Sequence, residues 1–201
     1  MQDTGWVSVT EFVRNPNMVG SAFPASARMV NRILDPIDWS TINLLIEYGP
    51  GSGRFTFEAL RRMRPDARLM AIDTGEEFVA KLRSHCRDPR LIIVNGCAGG
   101  VNTYRHNHDL PLADCVLTGL PFSTLDDGEG EAIMRETAAA LQPDGLLAAY
   151  QMRTTIRPLI ERHFRQISHD FEWWNIPPCH VYRATGPVRE SIRGWNTATA
   201  G

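Results

Sequence analysis

The 201-residue sequence predicts an α/β protein, a doubly wound and mostly parallel seven-stranded sheet with an N-terminal helical segment. Three observations carry that expectation. Short apolar runs alternate with helical patterns five times, at Leu44–Ile46, Leu69–Asp73, Leu91–Val94, Cys115–Thr118 and Leu146–Tyr150. Two further runs, Phe171–Ile176 and His180–Ala184, flank Pro177-Pro178 and predict a late strand pair with one strand reversed. The first run also passes directly into a glycine-rich turn and then a helix, the junction at which open α/β sheets bind nucleotide-like ligands.

In order along the chain, residues 1–40 are expected to form helices packed on the core, 41–185 the ligand-binding domain, and 186–201 a loose tail. Trp6, Val9, Phe12 and Val13 fall at helical spacing, and Pro16 ends that segment. A second helix starts at Ala25 or Ser26 and turns Met29, Val30, Ile33 and Leu34 inward. Ser21 and Ser26 also suit turn and cap positions. Leu44–Ile46 is too short, and too closely followed by glycine, to be a helix. Ser52 or Gly53 begins the helix that carries Phe55, Ala59, Leu60 and Met63 on one face. Thr74 and Glu77 fit a capping box for a helix over Glu76–Arg83. Helices are expected over Glu129–Leu141, followed by a turn at Gln142–Gly145, and over Thr155–Phe164, kinked or started by Pro158.

Composition narrows the function. Hydrophobic residues at 43% and charged residues at 22% describe a soluble globular protein. A net charge of −2 argues against a nucleic-acid partner held through phosphates. No apolar run approaches the roughly 18 residues of a membrane span, and no signal peptide is visible. Cys86, Cys97, Cys115 and Cys179 lack C-x-x-C pairing, which suits a reduced, cytoplasmic chain.

The chemistry centres on Leu44–Leu60, LLIEYGPGSGRFTFEAL. Glu47 ends the apolar run, and Gly49, Gly51 and Gly53 allow positive φ and a close approach of backbone to ligand. About twenty residues later Asp73 ends the second strand, where a carboxylate can take both hydroxyls of a ribose. The loop Asn95–Gly100 after the third strand carries few side chains, and Gly119–Ser123 follows the fourth. Tyr150 ends a central strand, and its phenol is the polar group expected nearest a second substrate. Tyr150, Trp173 and Trp174 also offer rings on which a cationic ligand could rest. His106, His108 and Asp109 offer two imidazoles and a carboxylate of the kind zinc or iron takes, but without a third ligand placed by pattern they read first as an exposed polar loop between a helix and Pro111, and no metal is expected.

An acid followed by G-x-G-x-G resembles motif I of class I S-adenosylmethionine (SAM) methyltransferases. More narrowly, VGSAFPAS, IEYGPGSGRFT, TGLPFSTL, LLAAYQM and FEWWNIPPCHVYRA resemble the bacterial phospholipid N-methyltransferases, relatives of the rRNA adenine dimethyltransferases. The resemblance runs from about Asn17 to Arg183 and implies the Rossmann-like class I methyltransferase fold. It implies SAM as cofactor, with Glu47, Gly49, Gly51 and Gly53 at its amino-acid end and Asp73 and Thr74 at its ribose. Gly96, Cys97, Ala98, Gly119 and Leu120 would complete that site. Phe122 and Tyr150 would wall the methyl-transfer space, and Ser21, Pro24, Ser26 and Trp174 would meet the acceptor. The acceptor implied is a phospholipid amine or a smaller amphipathic amine, with at most weak contact to a membrane surface. Two departures stand out. Met1–Asn15 holds one Arg, one Asp and one Glu where the family usually carries a basic amphipathic helix. The chain also reads Gly96-Cys97-Ala98 where the family commonly reads G-D-A, so a weak thiol acceptor replaces a carboxylate. The alternative these departures leave is a lyase or hydrolase built on a repurposed fold.

Overall fold

Side chains alternate across a strand, and here that alternation sorts the chain into two apolar layers on opposite faces of one sheet. The computed structural model describes residues 25–175 and 177–188. Seven strands form the sheet: β1 (Leu44–Tyr48), β2 (Arg68–Asp73), β3 (Leu91–Asn95), β4 (Ala113–Thr118), β5 (Leu141–Gln151), β6 (Phe164–Glu172) and β7 (Cys179–Pro187). Their order is β3-β2-β1-β4-β5-β7-β6. The first five are parallel, and β7 runs antiparallel to both β5 and β6.

Leu44, Ile46 and Tyr48 face one layer, where α4 (Val101–Asn107), α5 (Asp127–Ala140) and α6 (Arg157–His163) contribute Val101, Ile133 and Ile160. Leu45 faces the other, where α1 (Ala27–Leu34), α2 (Arg54–Arg62) and α3 (Glu76–His85) contribute Ile33, Phe55 and Leu82. The doubly wound expectation therefore holds. In α1 the buried residues are the four expected ones, Met29, Val30, Ile33 and Leu34. Ser26 caps that helix, its Oγ accepting the Met29 N–H at 3.1 Å.

Four local expectations are corrected. Thr74 and Glu77 form no capping box: Gly75 is the N-cap of α3, without a side-chain cap, and the Gly75 N–H goes to Asp73 Oδ1 at 2.8 Å. Residues 142–145 belong to an irregular β5 rather than a free turn. Ala113 lies opposite Leu141 and Cys115 opposite Leu146, so the intervening residues bulge out of the ladder. The expected helix over Thr155–Phe164 shortens to Arg157–His163, with Pro158 in its first turn, and the chain enters β6 at Phe164. β6 thus lies upstream of the expected Phe171–Ile176, and Trp173 and Trp174 form the turn after it. As an edge strand β6 exposes Arg165–Asp170 on both faces, so it shows no apolar alternation to read. The helix expected before the His106–Asp109 loop is α4, which runs on through His106 and buries only Val101 and Arg105 of its seven residues.

Chain order reverses between β1 and β4, which puts the glycine turn after β1 and the Gly119 loop after β4 side by side at the carboxyl ends of the strands. Leu120 Cδ2 lies where a Cβ on Gly49 would come within 3.2 Å of it, so the two loops touch across the switch point.

Candidate active site

The site starts from a buried acid. Glu47 is 2% exposed and faces α2, where the Thr56 hydroxyl donates to its Oε2 at 2.5 Å. Burial raises its carboxyl to about 7; the Thr56 hydrogen bond opposes the shift, and the charge of Asp73 adds to it. Beyond Glu47 the chain turns through Gly49, Gly51 and Gly53 at φ 68°, 49° and 77°, a region other residues rarely enter. Gly53 is the N-cap of α2 and offers no side chain, so the first turn of that helix opens toward the ligand side without a side-chain cap.

Asp73, 8% exposed, ends β2 beside this turn. Its Oδ2 accepts the Gly51 N–H at 3.4 Å and its Oδ1 the Gly75 N–H at 2.8 Å. Burial raises its carboxyl, and these two backbone hydrogen bonds pull against that shift. Its carbonyl takes Gly96 N–H at 2.9 Å and Asn95 Nδ2 at 3.0 Å, which fixes the loop after β3 against the end of β2. Gly96 has no room for a side chain, because Tyr104 lies where its Cβ would be. Ala98 is buried, Cys97 exposed, and Thr74 exposed. The described cofactor candidates therefore cluster on the ends of β1, β2, β3 and β4.

A second opening adjoins them. Gly119, Pro121, Ser123, Tyr150, Asn175 and Cys179 line a pocket, with Ala25, Gln151, Met152 and Pro177 completing its wall. Tyr150 is packed directly on Gly119, where any Cβ would collide with its phenol. Its ring stacks on Phe55 at 4.8 Å. Burial, then the nearby Glu47 and Cys179, push the phenol far up, so it stays neutral. Gln151 Nε2 donates to the Leu120 carbonyl at 2.7 Å and holds the Gly119–Leu120 bend in place. Asn175 ties three segments together. Its Oδ1 accepts the Ser26 N–H at 3.2 Å, and its Nδ2 donates to the Pro177 carbonyl at 2.8 Å. The Cys179 thiol is raised by burial, so this wall carries no thiolate.

Several candidates land elsewhere. Phe122 is 3% exposed and belongs to the core with Ile133 and Ile160, because a short 3-10 turn over Phe122–Thr124 points it inward. Its neighbours Pro121 and Ser123 line the pocket in its stead. Trp173 and Trp174 are 72% and 74% exposed, with the Arg28 guanidinium 5.8 Å from the Trp174 ring, so neither faces the pocket. The Ser26 hydroxyl is spent on its helix, and Ser21 and Pro24 lie outside the described residues. His106 sits in the last turn of α4 and His108 caps it, both exposed. Among the described residues no three His, Cys, Asp or Glu side chains gather as a metal site. Asn175, Gln151 and Cys179 were missed as side-chain contributors; the run Asn175–Pro178 in the quoted motif was the available signal.

A seven-stranded sheet in this order, with a buried acid, a glycine turn and a second acid at its carboxyl ends, defines a class I SAM-dependent methyltransferase. Residues 45–145, half of the chain, match the family model described as a methyltransferase domain, and the chain belongs to that family. It is 24% identical over 184 residues to an ornithine lipid N-methyltransferase from Singulisphaera acidiphila, covering 90% of this chain and 95% of the relative. It is 33% identical over 87 residues to ribosomal RNA small subunit methyltransferase A from Geobacter metallireducens, across 43% of this chain and 30% of that one. In fold it is similar to the N-methyltransferase NodS from Bradyrhizobium japonicum in complex with S-adenosyl-L-homocysteine. There the TM-score is 0.68 at 14% identity, covering 92% of this chain and all of that one. These findings replace the lyase or hydrolase alternative with methyl transfer.

Proposed function

We propose that the protein methylates the amine of a lipid headgroup or of a smaller amphipathic acceptor. Glu47, Gly49, Gly51 and Gly53 would hold the amino-acid end of SAM, and Asp73 its ribose. The residues fit that group: two buried carboxylates flank an uncapped helix start and a backbone turn bare of side chains. SAM supplies an electrophilic methyl group and leaves the protein little covalent chemistry to perform, so positioning supplies most of the rate.

The pocket beside Tyr150 is the observation that carries the acceptor reading. Among the described residues its lining holds no carboxylate, so an amine entering it finds no partner there for an ammonium charge and is desolvated toward its neutral, nucleophilic form. Tyr150 and Asn175 offer polar atoms to orient it, and the Tyr150 ring can face the alkylammonium product, a contact worth about 0.5–2 kcal/mol. The similarity to an ornithine lipid N-methyltransferase over nearly both full lengths supports a lipid amine over a nucleic acid, as does the net charge of −2. The test is methyl transfer from SAM to ornithine lipid, phosphatidylethanolamine and soluble amines in mixed micelles, read by mass spectrometry. Methylated lipid is expected; transfer to RNA alone would overturn the lipid reading.

The manner of membrane contact follows from the same surface. No helix among the described residues is long and apolar enough to cross a membrane. Trp173 and Trp174 stand exposed in the turn that also delivers Asn175 to the pocket, and tryptophan favours the headgroup region of a bilayer. With no basic face in Met1–Asn15, association with anionic vesicles is expected to be weak and nearly independent of salt. Tight co-sedimentation that collapses at high salt would contradict this.

A further inference from the structure

We propose that Glu129, from the first turn of α5, supplies the carboxylate that accepts a hydrogen bond from the 6-amino group of SAM's adenine, in place of an acid at position 97. This rests on the cofactor site proposed above. A ribose held at Asp73 would leave its base beside the loop after β3, the next strand outward, which begins at Gly96 and is bonded to the Asp73 carbonyl. An adenine amino group there needs an acceptor, and the Cys97 thiol is a weak one.

Glu129 is placed to take that role by the fold around it. Asp126 caps α5 by accepting the Glu129 N–H at 2.6 Å, which fixes the first turn. The helix then packs on the short turn after Cys97, where a Cβ on Gly99 would lie 3.7 Å from Cys97 Sγ and 3.8 Å from Ile133. Asn102 holds the start of α4 to α5 through the Glu136 carbonyl at 2.9 Å. The outcome is that Glu129 Oε1 lies 3.9 Å from Cys97 Sγ, beside the side chain of residue 97. The carboxylate is exposed and meets no cation among the described residues. The next acids along the helix are committed, Glu131 to Arg162 and His163, and Glu136 to Asn102. A carboxylate without a counter-ion is a strong acceptor for an amino group and repels a carbonyl oxygen at the same place.

One consequence separates this from a bystander role. Cys97→Asp would set a second carboxylate beside the first, and like charges that close oppose each other's ionisation. The single change therefore gains little, whereas Cys97→Asp combined with Glu129→Gln restores one carboxylate there.

The experiment is calorimetry of S-adenosylhomocysteine and of its 6-deaminated counterpart, S-inosylhomocysteine, on protein freed of ligand. Wild type is expected to prefer the adenosyl ligand. Glu129→Gln should weaken that ligand about tenfold to a hundredfold and lose or invert the preference, since a carboxamide can donate to the inosine carbonyl. The double variant should recover the preference, a readout that a merely structural role of Glu129 would not move. Unchanged affinity and preference in Glu129→Gln, with Asp73→Ala still weakening the ligand, overturns the assignment of Glu129 alone. Insensitivity to both residues overturns the cofactor site with it.

Discussion

Asp73→Ala is expected to weaken S-adenosylhomocysteine by about a hundredfold to ten-thousandfold. The carboxylate offers acceptors to two ribose hydroxyls, and each hydrogen bond to a charged group contributes about 1.5–3 kcal/mol. The same oxygens also receive the Gly51 and Gly75 N–H groups, so alanine removes the brace of the glycine turn along with the ligand contact. Melting temperature should therefore fall too, by the several degrees that one or two lost buried hydrogen bonds produce in a domain of about this size. Asp73→Asn keeps one carbonyl oxygen in place and is expected to fall between wild type and alanine in both measurements. A folded Asp73→Ala protein that binds the ligand within about threefold of wild type would remove Asp73 from the cofactor site.

Glu47→Gln is expected to split stability from binding. The folded carboxyl titrates at about 7 against a reference of 4.5, because burial disfavours its charge. Between those pH values the folded state holds more protons than the unfolded one, so this group's contribution to stability falls as pH rises across the window and is lowest above it. The full effect is about 3 kcal/mol. Glutamine keeps an oxygen for the Thr56 hydroxyl and carries no charge to bury. Unliganded Glu47→Gln should therefore melt several degrees higher than wild type at about pH 8, and lose the decline in melting temperature between about pH 5 and 7. Binding should move the other way. In the site proposed here the ammonium end of the cofactor supplies the positive partner that the buried carboxylate lacks. Wild type should release a proton on binding near pH 6.5, seen as a calorimetric heat that depends on the ionisation enthalpy of the buffer. Glu47→Gln should bind weakly and show no such buffer dependence. A variant that is no more stable at high pH would show that Glu47 is solvated in the free protein.

These two residues were legible in the sequence because their placement is local. An acid at the end of a buried run must sit at a strand's carboxyl end, and period two puts Glu47 on the face opposite Tyr48 and Ile46. Glycines that follow at once can do little but turn the chain, and they turn it with the positive φ that the spacing called for. The acceptor side was far less legible. Tyr150 stands at the end of a central strand, as read from the sequence, and lines the pocket, whereas Phe122 and the tryptophans, expected there from motif resemblance and ring type, do not line it. Whether an aromatic ring beside a proline points into a pocket, the core or solvent depends on a turn's dihedral angles and on which helix covers it. Phe122 turned into the core under α5, and Trp173 and Trp174 turned out of a sheet edge that nothing covers among the described residues.

By itself, then, the sequence determined the doubly wound sheet, the acid–glycine–acid cradle and the class of chemistry. The sheet and the cradle follow from hydrophobic period, strand-to-helix junctions and backbone freedom, and the class of chemistry from the likeness of the glycine-turn motif to that of SAM methyltransferases. Only the tertiary structure decided the partners of that cradle. Gln151 reaches back across 31 positions to hold the Leu120 carbonyl, and Asn175 spans 149 to tie the start of α1 to the β6–β7 turn. Glu129 comes 32 positions from its own place in the chain to stand beside Cys97. Contacts at such separations are set by how helices pack on a common sheet, and no local pattern of residue types records them.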